Sequence, residues 1–494
     1  MCELIEDLRP FRPDAQILAI SPLSTHTNKL RMKLRILSAA LSVAAMPLLS
    51  APALAQTGAG GQAAASRQAS ETNTLTLDQA IRQAMEKNYT VRALGYDVRR
   101  SELEVDRANA GLLPSVNANA GYDLGYSLNS EARRTSIFGV DPAANNRYSY
   151  GIGSSLNLFN GGSDAARIRG SEFALEASRR GLQWTRQQIA FAVTGAYVDA
   201  LRTRELVGAA EKTLAESRAQ LERVKGLNTA GSVPVAQVYQ QEAVVGQNEL
   251  SLIQAQNNYE NAKADLLVIL DIDPNDHGAY GVNLTGIDTT TSSARQNAVR
   301  AAITDAAIDR VLESRADIVA ARARVDAAEE QIAMTRGALL PSLDLNVGVN
   351  GGGAHENPFR AQSSNGLNAG LSLQVPIFDR MQNRIAIEQQ QLDIEADLVR
   401  IREQEQSVRS DVAKAANNLR SSEQALQASE RALRSAEESL RLAQERLRVG
   451  AGIQLDVIIA QSQVETARTN RVNAIYNYVL AAEQIEFTLG QWNY

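Results

Sequence analysis

The sequence predicts a mainly α-helical fold with a small membrane β part, built from two copies of one structural plan. Three observations support this prediction. Motifs recur along the chain at a fixed offset, runs with period-two alternation precede proline-free stretches of more than sixty residues, and only the N-terminal region carries a long apolar run. Together these features favour long paired helices that flank short strands.

The composition is typical of a folded protein and gives no indication of a nucleic-acid-binding, disulfide-rich or metal-binding protein. Of 494 residues, 44% are hydrophobic and 21% are charged, and the net charge of −6 argues against a nucleic-acid partner. The only cysteine is Cys2, and His26, His277 and His355 lie far apart. This pattern excludes a disulfide framework and a cysteine-based zinc site, so no metal or cofactor is predicted.

The N-terminus carries an export signal rather than folded structure. Residues 32–55 have a charged start, an apolar run and the small-residue cleavage pattern Ala53-Leu54-Ala55, which together indicate a secretory signal peptide. A transmembrane anchor is the alternative, but the apolar run is short and contains Pro47. Residues 1–31 are interpreted as a mis-annotated extension, so that Met32 is the initiator, and residues 56–73 as a flexible linker.

The remaining chain is duplicated. Gly111-Leu112-Leu113-Pro114-Ser115 recurs as Ala338-Leu339-Leu340-Pro341-Ser342 at an offset of 227, and after the strands the offset becomes 219. The predicted repeats are residues 74–270 and 304–490, joined by a polar connector at 271–303 and followed by a C-terminal end at 491–494. A repeat this long indicates an internal pseudo-twofold rather than a solenoid.

Each repeat contains two predicted strands, at about 115–128 and 148–159 and at about 342–350 and 366–378. Apolar side chains alternate with Asn, Gly, Ser and Asp, which suits strands with lipid on one face and water on the other, although a soluble β-sandwich is an alternative. Four strands are too few for a closed barrel, so copies must associate to close one. The predicted membrane-interface aromatics are Tyr122, Tyr126, Tyr148, Tyr150, Phe159 and Phe378.

The helices after the strands are too long for a globular core. Leucines recur every seven residues from Leu419 to Leu447, which predicts coiled-coil packing, although a plain soluble coiled coil has the same spacing. Glycine-containing turns end both long helices, near 228–234 and near 449–452. Their small residues suit close docking of another protein's backbone, or they form a simple turn.

Motifs for catalysis are not found in the sequence. The glycine cluster at 348–353 lies on a predicted strand instead of before a helix, so it does not match a phosphate-binding loop. No Gly-x-Ser-x-Gly elbow is found, and the acidic residues are scattered over helix faces. The sequence therefore predicts that the protein is not an enzyme and has no catalytic or metal-binding residues.

These features in this order resemble the TolC family of outer-membrane efflux ducts. The resemblance covers residues 74–490, and its motifs are weak singly but strong in their order and duplication. They are Leu77-Asp78-Gln79-Ala80, Leu112-Leu113-Pro114-Ser115, Leu158-Phe159-Asn160-Gly161-Gly162, and Gly450 followed by Asp456, Val457 and Ala460.

The resemblance implies a homotrimer with twelve strands in one outer-membrane β-barrel, continuous with a periplasmic α-helical coiled-coil barrel of twelve helices. The connector at 271–303 would contribute to an equatorial belt. The implied partners are outer-membrane lipid, a periplasmic membrane-fusion adaptor and an inner-membrane pump of the RND or ABC type. By the same resemblance, adaptor docking falls on Ala230, Gly231, Ser232, Val449, Gly450 and Ala451.

The resemblance also implies a pore constriction near the second tip. Asp456 matches the first of two pore-facing aspartates in a family member, and Ile459 occupies the second position. In that member, polar side chains at three positions latch neighbouring helices. The matching residues here are Gln237, Leu447 and Gly452, so the polar latch is absent. Three copies would make Asp456 a ring of three carboxylates, which predicts a mild cation preference.

The resulting functional prediction is a passive exit duct of a tripartite efflux system for small molecules. The protein itself would be exported by the Sec route and would reside in the outer membrane of a Gram-negative cell. One alternative is the outer-membrane component of a type I protein secretion system. An alternative of a different class is a soluble periplasmic coiled-coil scaffold. The sequence does not identify the cargo, the pump or the adaptor.

Overall fold

The computed structural model describes residues 74–124, 146–273, 283–286, 305–354 and 364–490. They fall within one unit, Ser70–Tyr494. The predicted signal peptide, the linker, most of the connector and Tyr126 lie outside the described residues.

The described elements follow the predicted order of paired helices and paired strands, with two short strands, β1 and β4, that the sequence did not predict. In chain order they are β1 (Thr74–Leu75), α1 (Leu77–Lys87), α2 (Tyr89–Ala110), β2 (Ser115–Leu124), β3 (Asn146–Asn160), α3 (Ser163–Thr229), α4 (Val235–Ile269), β4 (Asn283–Leu284), α5 (Asp305–Ser314), α6 (Ala316–Gly337), β5 (Ser342–Ala354), β6 (Ser364–Gln374), α7 (Gln382–Arg448) and α8 (Gln454–Thr488).

The duplication is visible in the helix lengths. Helices α2 and α6 both have 22 residues, α3 and α7 both have 67, and α4 and α8 both have 35. The offset of 227 relates the bounds of the first pair and the offset of 219 those of the other two. The predicted mainly α fold with an internal duplication and four strands in one sheet per chain is therefore confirmed.

Local sequence sets the helix boundaries. Thr76 and Gln79 form a capping box at the start of α1, with N···O distances of 3.2 and 2.9 Å. Asn88 separates α1 from α2, and its side chain accepts from the amide of Thr90 at 3.0 Å. Before α7, the carboxylate of Asp379 accepts from the amides of Asn383 and Met381. These backbone hydrogen bonds, that from Asn383 foremost, hold the pKa of Asp379 below its usual value.

The four longer strands form one antiparallel sheet in the order β2-β3-β5-β6. The ladders place the apolar residues of all four strands on one face, as in the row Ala118, Ile152, Val349 and Leu367. The other face is polar: most of its residues are Asn, Gly and Ser, and it also carries Asp123, Arg147 and Asp344. Strand β6 ends two residues before Pro376, which has no backbone N–H, so Phe378 lies beyond the ladder rather than at a strand end.

Helix α3 organises the helical part. It packs on α1, α2 and α6 in its strand-proximal half and on α4 and α8 towards its C-terminus, whereas α7 packs on α6 and α8. The main core joins α1, α3, α4 and α8, and a second core joins α5, α7 and α8. In the main core Tyr197 is fully buried, and its hydroxyl lies 2.7 Å from the carbonyl oxygen of Leu75 and 2.8 Å from that of Thr285. These contacts fix the short parallel pair β1–β4 against α3.

At 1.5 Å per residue, a 67-residue helix is about 100 Å long. None of the helices in the described ranges combines the length and apolarity required to cross a membrane.

Candidate docking tips and duct-lining residues

The two hairpin tips have the same backbone geometry. Gly231 and Gly450 adopt left-handed φ angles of +74° and +76°, which favour glycine. At the first tip the amides of Gly231 and Ser232 donate to the carbonyls of Asn228 and Leu227 at 2.8 and 2.9 Å. At the second tip the amides of Gly450 and Ala451 donate to Leu447 and Arg446 at 3.1 and 2.9 Å. Both are Schellman motifs, which satisfy the last helical carbonyls and leave a smooth turn.

The tip residues predicted for adaptor docking are solvent-accessible in the single chain. Val449 is 65% exposed, and a Cβ added at Gly231 or Gly450 would meet no atom within 4 Å. A partner backbone can therefore approach closely. The full exposed set is Ala230, Gly231, Ser232, Val449, Gly450 and Ala451.

The predicted constriction residues lie in the first turns of α8. Asp456 and Ile459 are three residues apart, so they share one helix face, and both are exposed. The positions predicted from the latch, Gln237, Leu447 and Gly452, are all half-buried. Gln237 lies in the first turn of α4, Leu447 in the last turn of α7, and Gly452 in the turn between α7 and α8.

A buried set of glutamines that the sequence analysis missed lies beside these positions. Gln220, Gln241 and Gln454 are 3%, 0% and 3% exposed. Gln454 Nε2 donates to Gln241 Oε1 at 3.2 Å, Gln220 Nε2 lies 3.4 Å from Gln454 Oε1, and Gln241 Nε2 donates to the Ser217 carbonyl at 3.3 Å. This glutamine cluster joins α3, α4 and α8 near the tips. Gln241 lies one helical turn after Gln237, and this spacing is the only indication of the glutamine cluster in the sequence.

The predicted interface aromatics concentrate at the two ends of the apolar sheet face. Tyr122 pairs with Tyr148 across the ladder, and the rings of Tyr148 and Tyr150 stack with centroids 6.4 Å apart. The Tyr150 hydroxyl donates to Asn365 Oδ1 at 2.6 Å. Phe159 follows a bulge at the other end of β3 and is 50% exposed, and Phe378 is 78% exposed.

Within the described ranges, His, Cys, Asp and Glu side chains form no group of three that could hold a metal ion.

Curated proteins of similar sequence include two that are named as outer-membrane proteins. The chain is 25% identical to the outer membrane protein TolC of Vibrio cholerae, over 78% of this chain and 84% of the relative. It is 25% identical to the pyoverdine export outer membrane protein OpmQ of Pseudomonas putida, over 69% of this chain and 70% of the relative. Protein CyaE of Bordetella pertussis is 26% identical, with 82% and 81% covered.

Solved structures with the same fold are outer-membrane proteins. The outer membrane protein VceC of Vibrio cholerae aligns with a TM-score of 0.69 at 17% identity, covering 84% of this chain and 96% of that one. The CmeC outer membrane channel of Campylobacter jejuni aligns with a TM-score of 0.68 at 17% identity, covering 90% and 94%.

The family model described as outer membrane efflux protein matches residues 80–270 and 307–491, which are nearly the two repeats. The chain therefore belongs to the outer membrane efflux protein family, whose members are outer-membrane exit ducts.

Proposed function

We propose that three copies of this chain form a passive duct that crosses the outer membrane and extends into the periplasm. There it would meet a membrane-fusion adaptor and an inner-membrane pump, which supply the energy for export. The observation that carries this proposal is the single four-stranded sheet with one apolar face and two unpaired edges.

The strand directions support closure by repetition. Within the described residues, strands β2 and β6 are the outer strands of the sheet, and neighbours in the sheet are antiparallel throughout. Strand β6 of one copy is therefore antiparallel to β2 of the next when the copies follow one another around a ring. Three copies give twelve strands, more than the about eight that close a barrel.

The aromatic positions support a membrane-spanning orientation. Tyr148 and Phe159 are eleven residues apart on β3, about 36 Å along a strand. A tilt of about 40° reduces this to about 28 Å of depth, close to the ~25 Å apolar band of outer-membrane barrels. The helical part would then project into the periplasm from the Phe159 end.

The tips support docking of a helical adaptor. They are exposed, small and uncharged, and their backbone is already ordered by the Schellman hydrogen bonds. Binding of a partner there would therefore cost little conformational entropy of the tip backbone. A passive duct of this kind needs no catalytic residue or cofactor.

Small molecules are the proposed cargo. The OpmQ relative is named for pyoverdine export. The sheet's second face is lined mostly by Asn, Gly and Ser residues, with Asp123, Arg147 and Asp344 as its charged members. Such a lining would let polar solutes pass without binding them tightly.

Ion selectivity of the purified protein in planar bilayers tests the duct and its constriction. Asp456→Ala removes a proposed ring of three carboxylates and should lower cation preference. Ile459→Asp adds a second ring on the same helix face and should raise it. Absence of any conductance contradicts the duct, and unchanged selectivity in both variants contradicts the placement of the constriction.

A further inference from the structure

We propose that the turn between β6 and α7 binds a phospholipid with an anionic headgroup, in the membrane leaflet that lies next to the helices. The inference rests on the proposed function, because that function places the apolar face of the sheet in lipid. The residues that would bind the lipid, which we call the junction patch, are Ile377, Phe378, Arg380, Met381 and Arg384.

The apolar part of the junction patch continues the apolar face of the sheet. Leu371 and Leu373 lie on that face of β6, and the alternation carries it through Val375 to Ile377. Ile377 and Phe378 are 94% and 78% exposed. Large apolar side chains that are exposed together mark a surface covered by a partner or by a membrane, and this surface is continuous with the one proposed to face lipid.

The equivalent turn of the first half shows that this exposure does not depend on a missing neighbour. The offset of 219 relates the two apolar residues of the junction patch to Leu158 and Phe159. That turn is packed against the end of α6, because a Cβ added at Gly161 would clash with the carbonyl oxygen of Gly337. Leu158 and Phe159 are nevertheless 49% and 50% exposed. Side chains at these positions therefore remain accessible beside a packed helix.

Two successive residues of the junction patch have a backbone conformation that favours glycine. Arg380 and Met381 have φ angles of +56° and +63°, whereas their counterparts Gly161 and Gly162 have +68° and +84°. A Cβ added at Gly162 would meet no atom within 4 Å, so a side chain at that position extends into open space. Strained non-glycine residues persist where their side chains have a function. We therefore attribute the side chains of Arg380 and Met381 to a contact outside the chain.

The junction patch also carries cations that are not neutralised by the described residues. Arg380 and Arg384 are exposed, and neither forms an ion pair with a residue in the described ranges. Asp379 is adjacent, but its carboxylate accepts from the amides of Met381 and Asn383 at 2.9 and 3.0 Å. That carboxylate thus satisfies the backbone at the start of α7, and the two guanidinium groups stay available.

The first-half turn lacks these cations. Gly161 and Ala165 occupy the positions of Arg380 and Arg384. The arginine nearest to that turn, Arg167, forms an ion pair with Asp164. Unpaired positive charge beside an exposed apolar surface is therefore a property of the second turn alone.

The position of the cations suits a phosphate group at the edge of the acyl region. Arg384 is the third residue of α7, so it lies within the first helical turn after the apolar residues. A guanidinium binds a phosphate through two parallel hydrogen bonds. Phosphatidylglycerol keeps the net negative charge of its phosphate, whereas the choline cation offsets that charge in phosphatidylcholine. The junction patch should therefore prefer phosphatidylglycerol.

Tryptophan quenching in reconstituted vesicles tests the site. The full chain carries Phe378→Trp as the probe, in vesicles that contain phosphatidylglycerol and phosphatidylcholine, one of them with brominated acyl chains that quench a tryptophan in contact. Brominated phosphatidylglycerol should quench the probe more than brominated phosphatidylcholine at the same mole fraction. The parent protein, with Trp184 and Trp492 alone, gives the background. Ile377→Trp reports the same patch if the first probe does not assemble.

Matched variants separate headgroup binding from general lipid contact. An arginine near an anionic membrane surface contributes about fivefold in affinity, so Arg380→Gln with Arg384→Gln should remove the preference for phosphatidylglycerol. Arg431→Gln, at an exposed position of α7 far from the sheet, should leave the preference unchanged. A Leu367→Trp probe on the apolar face of β6, away from the junction patch, should be quenched equally by the two lipids.

The outcomes also distinguish this proposal from the proposed function. Quenching at Leu367→Trp without quenching at either patch probe overturns lipid binding by the turn and leaves the duct standing. Equal quenching of the patch probe by the two lipids, or a preference that survives the double arginine substitution, overturns the anionic headgroup. Absence of quenching at both the sheet and the turn contradicts the proposed function as well.

Discussion

At the scale of single residues, the glutamine cluster bears most directly on how the proposed duct would be held closed at its tips. The polar latch expected from family resemblance is absent at Leu447 and Gly452. Gln454 instead ties the first turn of α8 to Gln220 of α3 and Gln241 of α4. Because these amides are buried, their hydrogen bonds are not exchanged for water while the hairpins stay packed.

Gln241→Leu should destabilise this contact by about 1–3 kcal/mol, because it leaves the side-chain NH2 of Gln454 buried without its acceptor. The neighbouring Gln240→Leu, at an exposed position of the same helix, is the matched control. Thermal unfolding and hydrogen exchange of the first turns of α8 measure the difference. Equal behaviour of the two variants would show that the cluster does not hold the hairpins together.

Such a cluster is hard to find in a sequence, because glutamine on a helix is usually exposed. Only the packing of three helices at one level reveals that these side chains are buried. The tip glycines present the opposite case. A glycine directly after a long proline-free helix indicates a left-handed cap, and Gly231 and Gly450 have that conformation.

At the scale of elements, the contact between α3 and α6 joins the two repeats in the helical part next to the sheet. Arg169 and Glu330 form a paired hydrogen bond across it, and this bond lowers the pKa of Glu330, with a smaller contribution from the positive charge of Arg169. Since the folded pKa lies below the ordinary value of 4.5, the pair stabilises the contact above that value. Its contribution is lost as the pH falls through the folded pKa.

Glu330→Gln should therefore increase hydrogen exchange in α6 at neutral pH. The difference from the parent should shrink as the pH falls through the lowered folded pKa of Glu330 and disappear where the carboxyl is protonated in both folded and unfolded chains. Glu438→Gln is the control, because Glu438 pairs with Arg441 of the same helix and joins no second element. A pH-independent difference at Glu330 would mean that packing, not charge, explains the effect.

Element types and pairings followed from the sequence because periodicity and duplication agree at this scale. The alternating runs and the two offsets predict four strands and long paired helices, and the family match confirms the fold class and the exit-duct function. The end of β6 was harder to place, because alternation continues to Val375 while Pro376 interrupts the ladder. The two-residue pair β1–β4 has no periodicity to detect, and its position depends on contacts with Tyr197.

At the scale of the whole molecule, a single chain is incomplete in two related ways. In the part of the chain that the structure describes, the outer strands β2 and β6 have no further partner, and α7 packs on fewer helices than α3. Both gaps call for the same next copy in the same direction, so one ring would satisfy both. This agreement between the β part and the helical part is a consequence of the duplication, because each half repeats the connections of the other.

The ring also assigns the two sheet faces to different solvents, and adjacent residues of β5 test this assignment. Val347 lies on the apolar face opposite Ser154 and Ala369, about midway between the levels of Tyr148 and Phe159. Val347→Arg would place a charge near the membrane midplane and should cost about 2–4 kcal/mol, which would reduce the folded trimer recovered from the outer membrane. Asn346→Arg, one residue earlier on the polar face, should leave that yield nearly unchanged because its side chain would reach water inside the duct. Loss of assembly in Asn346→Arg with tolerance of Val347→Arg would reverse the two faces, and tolerance of both would place neither face in lipid.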